Sequence, residues 1–527
     1  MIRPDIDAGE IQALVHTGFG SLKEASYLLL RVTDPSAARA WLGRLRPAVL
    51  ADLPMAGGSG ALQKAVQVAM TAAGLRALGV DGAIVARFAP EFVGGLTGST
   101  NRSRRLGDTG LNAPENWQWG WGDREPHVLL MLFATGPTHE AQVAQARTEA
   151  EASGFKVFAV LPTNDMGAVE PFGFADGVSQ PVFDWHAERI PGTAADRRYT
   201  NLLTLGEILL GYPNEYGTAS ASPMVAPGED RSSGLRVQPS GDHDLGRNGS
   251  YLVHRQLAQD VRGFWRWAKE EAARSGITAV AMAEAAVGRR LGGAPMDDLV
   301  RGREIPGVAA DDDVNGFLFD SDPEGLSCPI GAHVRRANPR SGDLPDGVET
   351  PLDRLLTALG LTARRPGKAI STTQPWPANT SVLPQLAPNA DAIASARFHR
   401  ILRRGREYGT RLDPAAAMDP TAPDSQAGLH FLCLNANLAR QFEFVQGAWI
   451  ASANFAGLNG EQDPLLGNRE PLPTALTGDL RPTDGFTRPA AAPNCRHASG
   501  VPLFVTVLGG AYFFLPGLAA LRWIAAG

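Results

Sequence analysis

The sequence predicts an α+β fold whose first part is a ferredoxin-like unit, a sheet with helices on one face. Three observations carry this prediction. Up to about residue 165, apolar runs of strand length alternate with helix-period runs in the order β-α-β-(α)-β-α-β. Strand signals return in the second half at 249–254, 429–434, 501–507 and 511–514, so the two halves can be two copies of one fold, although no sequence repeat is visible. The 527 residues suffice for two structural units, and 59 glycines with 39 prolines call for long ordered loops between elements.

The elements follow in order. Residues 26–33 (SYLLLRVT) read as a strand, and 36–46 as a helix with Asp34 or Ser36 as its N-cap. Residues 63–70 form a second strand, followed by a short helix from Gly74 to Leu78. Residues 127–134 (HVLLMLFA) are a strongly apolar strand, 138–152 a polar-faced helix, and 155–161 a further strand. The first unit is placed at 1–185, and 186–248, rich in Gly, Pro and polar residues, is an ordered connection. The second unit, 249–527, begins with a strand at 249–254 that runs into a helix at 256–274. Its stretch 338–395 has many prolines and little periodicity and reads as an insertion. The apolar run 513–526 is interrupted by Pro516 and Arg522 and is short for a membrane span, so it reads as a buried helix.

Bulk properties exclude several classes. A net charge of −6, from 49 basic and 55 acidic residues, leaves no basic footprint for nucleic acid. Cys328, Cys433 and Cys495 are scattered and form neither a disulfide framework nor a zinc motif. Gly57-Gly58-Ser59-Gly60 lacks the Lys-Ser/Thr ending of a phosphate loop. The N-terminal MIRPDIDAGEIQALV carries acids where a secretory signal is basic, which predicts a cytoplasmic protein without membrane association. Self-association into a homo-oligomer is left open.

One stretch organises the rest: Pro171-Phe172-Gly173-Phe174-Ala175-Asp176-Gly177-Val178-Ser179-Gln180-Pro181. An isolated Gly-x-x-Asp-Gly reads most simply as a surface turn. Here Phe172, Phe174 and Phe183 make the loop apolar and therefore buried, and a buried Asp must be paired, hydrogen-bonded or functional. Gly173 and Gly177 let the backbone approach something flat and bulky. This stretch closely resembles the GxxDG signature of the dye-decolourising (DyP-type) haem peroxidases.

Further segments resemble the same family: Leu106-Gly107-Asp108 with Pro114, Trp117 and Trp119; Leu245 to Val253; Gly331-Ala332-His333-Val334-Arg335-Arg336-Ala337-Asn338-Pro339-Arg340; Arg400 to Gly405; and Arg440 to Gln446. The resemblance runs from about residue 11 to 525. It implies two ferredoxin-like units of the dimeric α+β barrel type, with haem b (iron protoporphyrin IX) held mainly by the C-terminal one. It also implies reduction of hydrogen peroxide coupled to one-electron oxidation of small aromatic, phenolic or dye-like donors. The rival expectation is a haem-handling protein with incidental peroxidase activity.

The resemblance assigns roles to residues. His333 is the axial iron ligand, since imidazole is a common haem ligand whose other nitrogen donates to a carboxylate. Arg335, Arg336 and Arg340 follow it, and guanidinium groups suit haem propionates. The expected cofactor contacts are His333, Gly173, Gly177, Arg335, Arg340, Leu429, Phe431 and Glu443. Asp176 is the distal acid–base group that moves the peroxide proton. A carboxylate base stays ionised in acid, which predicts an acid optimum; activity best at pH 8 and negligible at pH 4–5 would count against Asp176. Arg403 is the distal cation, with Arg404 beside it as an alternative. Leu429 and Phe431, alternating with His430 on a strand, cap the pocket. Glu443, an acid in the aromatic run QFEFVQ, is the candidate acceptor for the axial imidazole, with pairing to Arg440 or Arg404 as the plainer reading. A pocket so narrow implies electron entry through Trp or Tyr residues, with Trp117, Trp119, Trp121, Trp265, Trp267, Trp376 and Tyr408 as candidates.

Overall fold

The computed structural model describes residues 6–51, 62–186, 202–296, 317–340 and 396–527, apart from 229, 318, 320, 321, 424, 425, 474–477 and 489–495. The glycine-rich segment 57–60, Cys495, Trp376 and nearly all of the 338–395 insertion lie outside the described residues.

Apolar runs with β-branched and aromatic residues form the longer strands. In the first half these are β1 (Glu24–Val32), β2 (Ala65–Met70), β3 (Val128–Ala134) and β4 (Phe155–Pro162). Helix α1 (Pro35–Leu45) follows β1, and the Asp34 carboxylate caps it by accepting from the amides of Ser36 and Ala37. Helix α2 (Pro137–Glu151) precedes β4 and buries little more than Ala150. In the second half the strands are β5 (Ser250–Gln259), β6 (Leu402–Arg403), β7 (Arg406–Gly409), β8 (Ala427–Asn435) and β9 (Val505–Leu515). Among the described residues these nine strands form one antiparallel sheet, in the order β6-β8-β5-β9-β2-β3-β1-β4 with β7 also on β8. Each half shows the ferredoxin-like order 2-3-1-4, and the halves join edge to edge where Phe514 of β9 faces Met70 of β2. In β1, β2, β3 and most of β5 both faces are buried.

Two expectations about element boundaries need correction. The strand at residue 250 does not turn into a helix at 256; it runs to Gln259, and α3 spans Val261–Ser275 behind an Asp260 cap. The cause is tertiary pairing, because every residue from Tyr251 to Gln259 is matched by β8 on one side and β9 on the other. The second correction concerns the strands read at 501–507 and 511–514, which are one strand, β9, with Gly509-Gly510 inside it. A Cβ at Gly509 would stand 2.5 Å from the Trp119 indole, so the glycine admits the ring rather than ending the strand.

Both faces of the sheet are covered. One packs α1, α3 and the C-terminal helix (Leu518–Ala526), through Trp41, Phe264, Trp265 and Leu521. The other packs the segments 11–19 and 203–212, through Leu14, Phe19, Leu205 and Tyr212. Residues of β8 alternate between these faces, with Phe431 and Cys433 toward the helices and Leu432 and Leu434 toward the second layer. No helix among the described residues is long and apolar enough to cross a membrane.

Inside the second layer His254 and His430 meet, Nε2 to Nδ1 at 3.4 Å, against the edge of Tyr27. Burial pushes His430 down to about 4, and burial with the neighbouring His430 holds His254 well below the usual imidazole value. A neutral folded imidazole stabilises the fold fully above pH 6.5, and that stability is lost as pH falls toward 4 because the unfolded chain takes up the proton first. For His430 this amounts to about 3 kcal/mol. Thermal unfolding of His430→Gln should therefore be less acid-sensitive than that of wild type between pH 7.5 and 4.5; parallel curves for the two proteins would refute the pair's role.

Candidate active site

The loop 168–180 is built to present one carboxylate. Gly173 has φ +98° and Gly177 φ +73°, conformations that favour glycine. Phe172 and Phe174 pack against Phe264 at 4.6 and 6.4 Å, and the Trp265 indole donates to the Phe172 carbonyl at 2.9 Å. The Ala175 amide donates to the Leu291 carbonyl at 2.9 Å, so the chain is pinned immediately before Asp176. Arg403 meets this carboxylate from β6: Nη1 donates to Asp176 Oδ1 at 2.9 Å and Nη2 to the Ser179 carbonyl at 3.3 Å. Both side chains remain partly open, at 32% for Arg403 and 26% for Asp176, so the pair lines a space rather than filling it.

Arg404 is excluded from that role by strand alternation. It faces the opposite side, where Nε and Nη2 donate to the carbonyls of Leu14 and Val15 at 2.8 and 2.9 Å. Phe431 and Leu429 share the Arg403 side of the sheet, with Leu257 of β5 directly across from Leu429.

His333 opens the short helix α4 (His333–Ala337). Its Nδ1 donates to Asp463 Oδ2 at 2.9 Å, and the fully buried Asp463 also accepts from the amides of Leu465 and Leu466 through Oδ1. Burial alone would lower the imidazole's pKa, but the Asp463 charge and hydrogen bond raise it. The Arg403 charge weakly opposes this rise and the Glu170 charge weakly adds to it.

No protein-family model matches the chain. It is 28% identical over 475 residues to the multifunctional dye peroxidase DyP2 of Amycolatopsis sp., across 86% of this chain and 81% of that protein. It is 26% identical over 479 residues to the dye-decolorizing peroxidase msp1 of Mycetinis scorodonius, across 87% and 76%. Its fold matches that of a fungal DyP-type peroxidase from Auricularia auricula-judae with TM-score 0.68 at 21% identity over all of both chains. Along most of its length the chain is similar to dye-decolourising peroxidases.

Haem is the cofactor of this peroxidase family, and the residues present fit it. With Nδ1 held by Asp463, the His333 Nε2 makes no hydrogen bond among the described residues and is the nitrogen left for iron. A Cβ built at Gly177 meets nothing within 4 Å, so open space adjoins the loop beside Asp176.

Glu443 needs correction as the imidazole's partner. It is paired with Arg102 at 3.0 Å and Arg105 at 3.3 Å, and the Tyr512 hydroxyl donates to it at 3.0 Å. These fill a buried carboxylate, and neither Arg440 nor Arg404 takes part: Arg440 pairs with Glu207 at 2.8 Å. The arginines after His333 also separate. Arg335 is turned away, donating to Asp322 Oδ2 at 3.2 Å and to the Cys328 carbonyl at 2.7 Å. Arg336 is fully buried on the carbonyls of Trp449 and Ser452, at 2.7 and 3.0 Å. Arg340 reaches the distal loop, with Nη2 donating to Ser179 Oγ at 2.7 Å. Of the described electron-entry candidates, Trp117, Trp119, Trp265 and Trp267 are buried, and Trp121 is exposed at 37%. Tyr408 is half-buried, its hydroxyl donating to the Leu257 carbonyl at 3.0 Å.

Two site residues escape a reading of the sequence. Asp463 lies in Gln462-Asp463-Pro464-Leu465-Leu466, where the only local signal is an Asp able to cap the turn that follows. Glu170 stands two residues before Phe172, and nothing in the local pattern separates it from an ordinary polar residue at the start of a loop.

Proposed function

We propose that the chain reduces hydrogen peroxide at haem b held by His333 and oxidises small aromatic, phenolic or dye-like donors by single electrons. The observation that carries this reading is the Asp176–Arg403 pair at 2.9 Å, brought together by two distant segments, with the Arg403 charge felt at His333. Haem carriage needs His333 and its Asp463 partner; it has no use for a carboxylate coupled to a guanidinium, so the pair favours catalysis over haem handling.

When bound, haem supplies the redox-active iron. Asp176 takes a proton from one oxygen of hydrogen peroxide and returns it to the other, which leaves as water. Arg403 orients Asp176 and presents guanidinium N–H groups to the charge that grows on the departing oxygen. Asp463 fixes the imidazole's ring orientation and tautomer. Arg340, of the three arginines after His333, is the one near enough to the distal loop to meet a propionate. Leu429 and Phe431 restrict the distal space to small oxidants, so donors yield electrons from outside it. A cytoplasmic setting belongs to the same proposal: the described cysteines, Cys328 and Cys433, are buried thiols, as is usual in reducing compartments.

The test is to load the protein with haem and add one equivalent of hydrogen peroxide at pH 4.5, then a phenolic donor. A rapid change of the haem spectrum, reversed by the donor over many cycles, is expected. Slow bleaching without donor turnover would instead establish haem handling.

A further inference from the structure

We propose that Glu170 is a positioning residue whose carboxylate clamps the turn that presents Asp176. The proposal rests on the peroxidase reading and adds to it a group that touches neither peroxide nor haem.

The clamp is local and complete. Glu170 Oε2 accepts from the Phe172 amide at 3.0 Å, and Oε1 from the Phe174 amide at 3.0 Å. Across the turn the Glu170 amide donates to the Phe174 carbonyl at 2.9 Å, and the Gly173 amide to the Glu170 carbonyl at 2.8 Å. Residues 170–174 are thus closed on themselves, with Gly173 at positive φ in the middle. From β5, Gln259 Nε2 donates to Oε2 at 2.8 Å and ties the clamp to the sheet. Only Ala175 separates the clamped Phe174 from Asp176. A change of acceptor at Glu170 therefore moves Asp176 relative to Arg403, which is held independently on β6.

Charge marks Glu170 as more than a turn cap. Burial raises it to about 7 despite its three hydrogen bonds, and the Asp176 charge pushes the same way. The Asp176 charge on its own loop acts on Glu170, the Glu170 charge is felt at His333 of α4, and Gln259 on β5 is neutral. Glu407 of β7 also feels Asp176 and is raised to about 7, by burial first.

The decisive comparison is E170Q with wild type as holoenzymes. Gln keeps the volume and one acceptor but sets an NH₂ group against the Phe172 amide and Gln259. The rate constant for the reaction with peroxide should fall by ~10- to 100-fold, the range that small misplacement of a reacting group produces. KM for the donor and the ferric haem spectrum should stay as in wild type, and the pH profile between 4 and 8 should change shape. Amide exchange at Phe172 and Phe174 should accelerate. Adding Q259E, which restores one donor–acceptor pair, should recover part of the rate. An unchanged rate and pH profile in E170Q would overturn the proposal. If E170Q fails to hold haem, Q259L takes its place, because it removes one bond of the clamp; a wild-type peroxide rate there would overturn it equally. The exchange measurement does not depend on turnover, so it separates failure of the clamp from failure of the peroxidase reading.

Discussion

Replacing Asp176 by asparagine is expected to slow the reaction of the haem-loaded protein with hydrogen peroxide by ~10²- to 10⁴-fold, the contribution typical of a positioned acid–base group. The substitution is close to isosteric, and the amide keeps an oxygen in place of Oδ1 for the Arg403 Nη1 bond at 2.9 Å. The loop is held by bonds that do not involve the Asp176 side chain, from Phe172, Phe174 and Ala175. What the variant loses is a group able to take up and return a proton. Haem content and the ferric spectrum should therefore match wild type while the stopped-flow rate collapses. A rate within a few-fold of wild type would remove Asp176 from the mechanism.

The second large effect is expected at His333. His333→Ala should abolish haem retention, measured by absorbance titration of the haem-free protein. Asp463→Asn should weaken retention or activity by ~10- to 100-fold, as loss of an oriented partner commonly does. The ordering follows from the geometry. Asp463 is fully buried and accepts from His333 and from two backbone amides, so an asparagine in its place could still accept from the amides while holding the imidazole less firmly. Free imidazole added to His333→Ala should restore part of the binding if the cavity is intact. Equal haem affinity in wild type and His333→Ala would mean that the iron is held elsewhere.

Glu443 and Asp463 show how far sequence reasoning reaches in such a site. Both are acids in apolar surroundings, and the need of a buried carboxylate for a partner applies to each. Which partner each finds depends on a long-range arrangement: Glu443 meets Arg102 and Arg105, and Asp463 meets His333, 130 positions away. The choice between Arg403 and Arg404 is of the same kind. Neighbours on a strand point to opposite faces, and only the layout of the sheet says which face carries the pocket. The Gly509-Gly510 pair carries a signal for a break, yet it serves to admit Trp119.

By itself the sequence determined the ferredoxin-like order of the first half and the buried C-terminal helix, and its resemblance to a known family singled out Asp176, His333 and Arg403 as the residues proposed for the chemistry. The elements are legible because apolar periodicity is written locally, and the residues because the short motifs that carry the resemblance are local too. Tertiary structure alone decided that both halves share one sheet through the junction at Phe514 and Met70. It also decided that β5 runs on to Gln259, that Asp463 and not Glu443 holds the His333 imidazole, and that the Glu170 carboxylate closes on the amides of the loop carrying Asp176. Those outcomes turn on which donor reaches which enclosed acceptor, for most of them across tens or hundreds of residues, a competition settled only when the whole chain is packed.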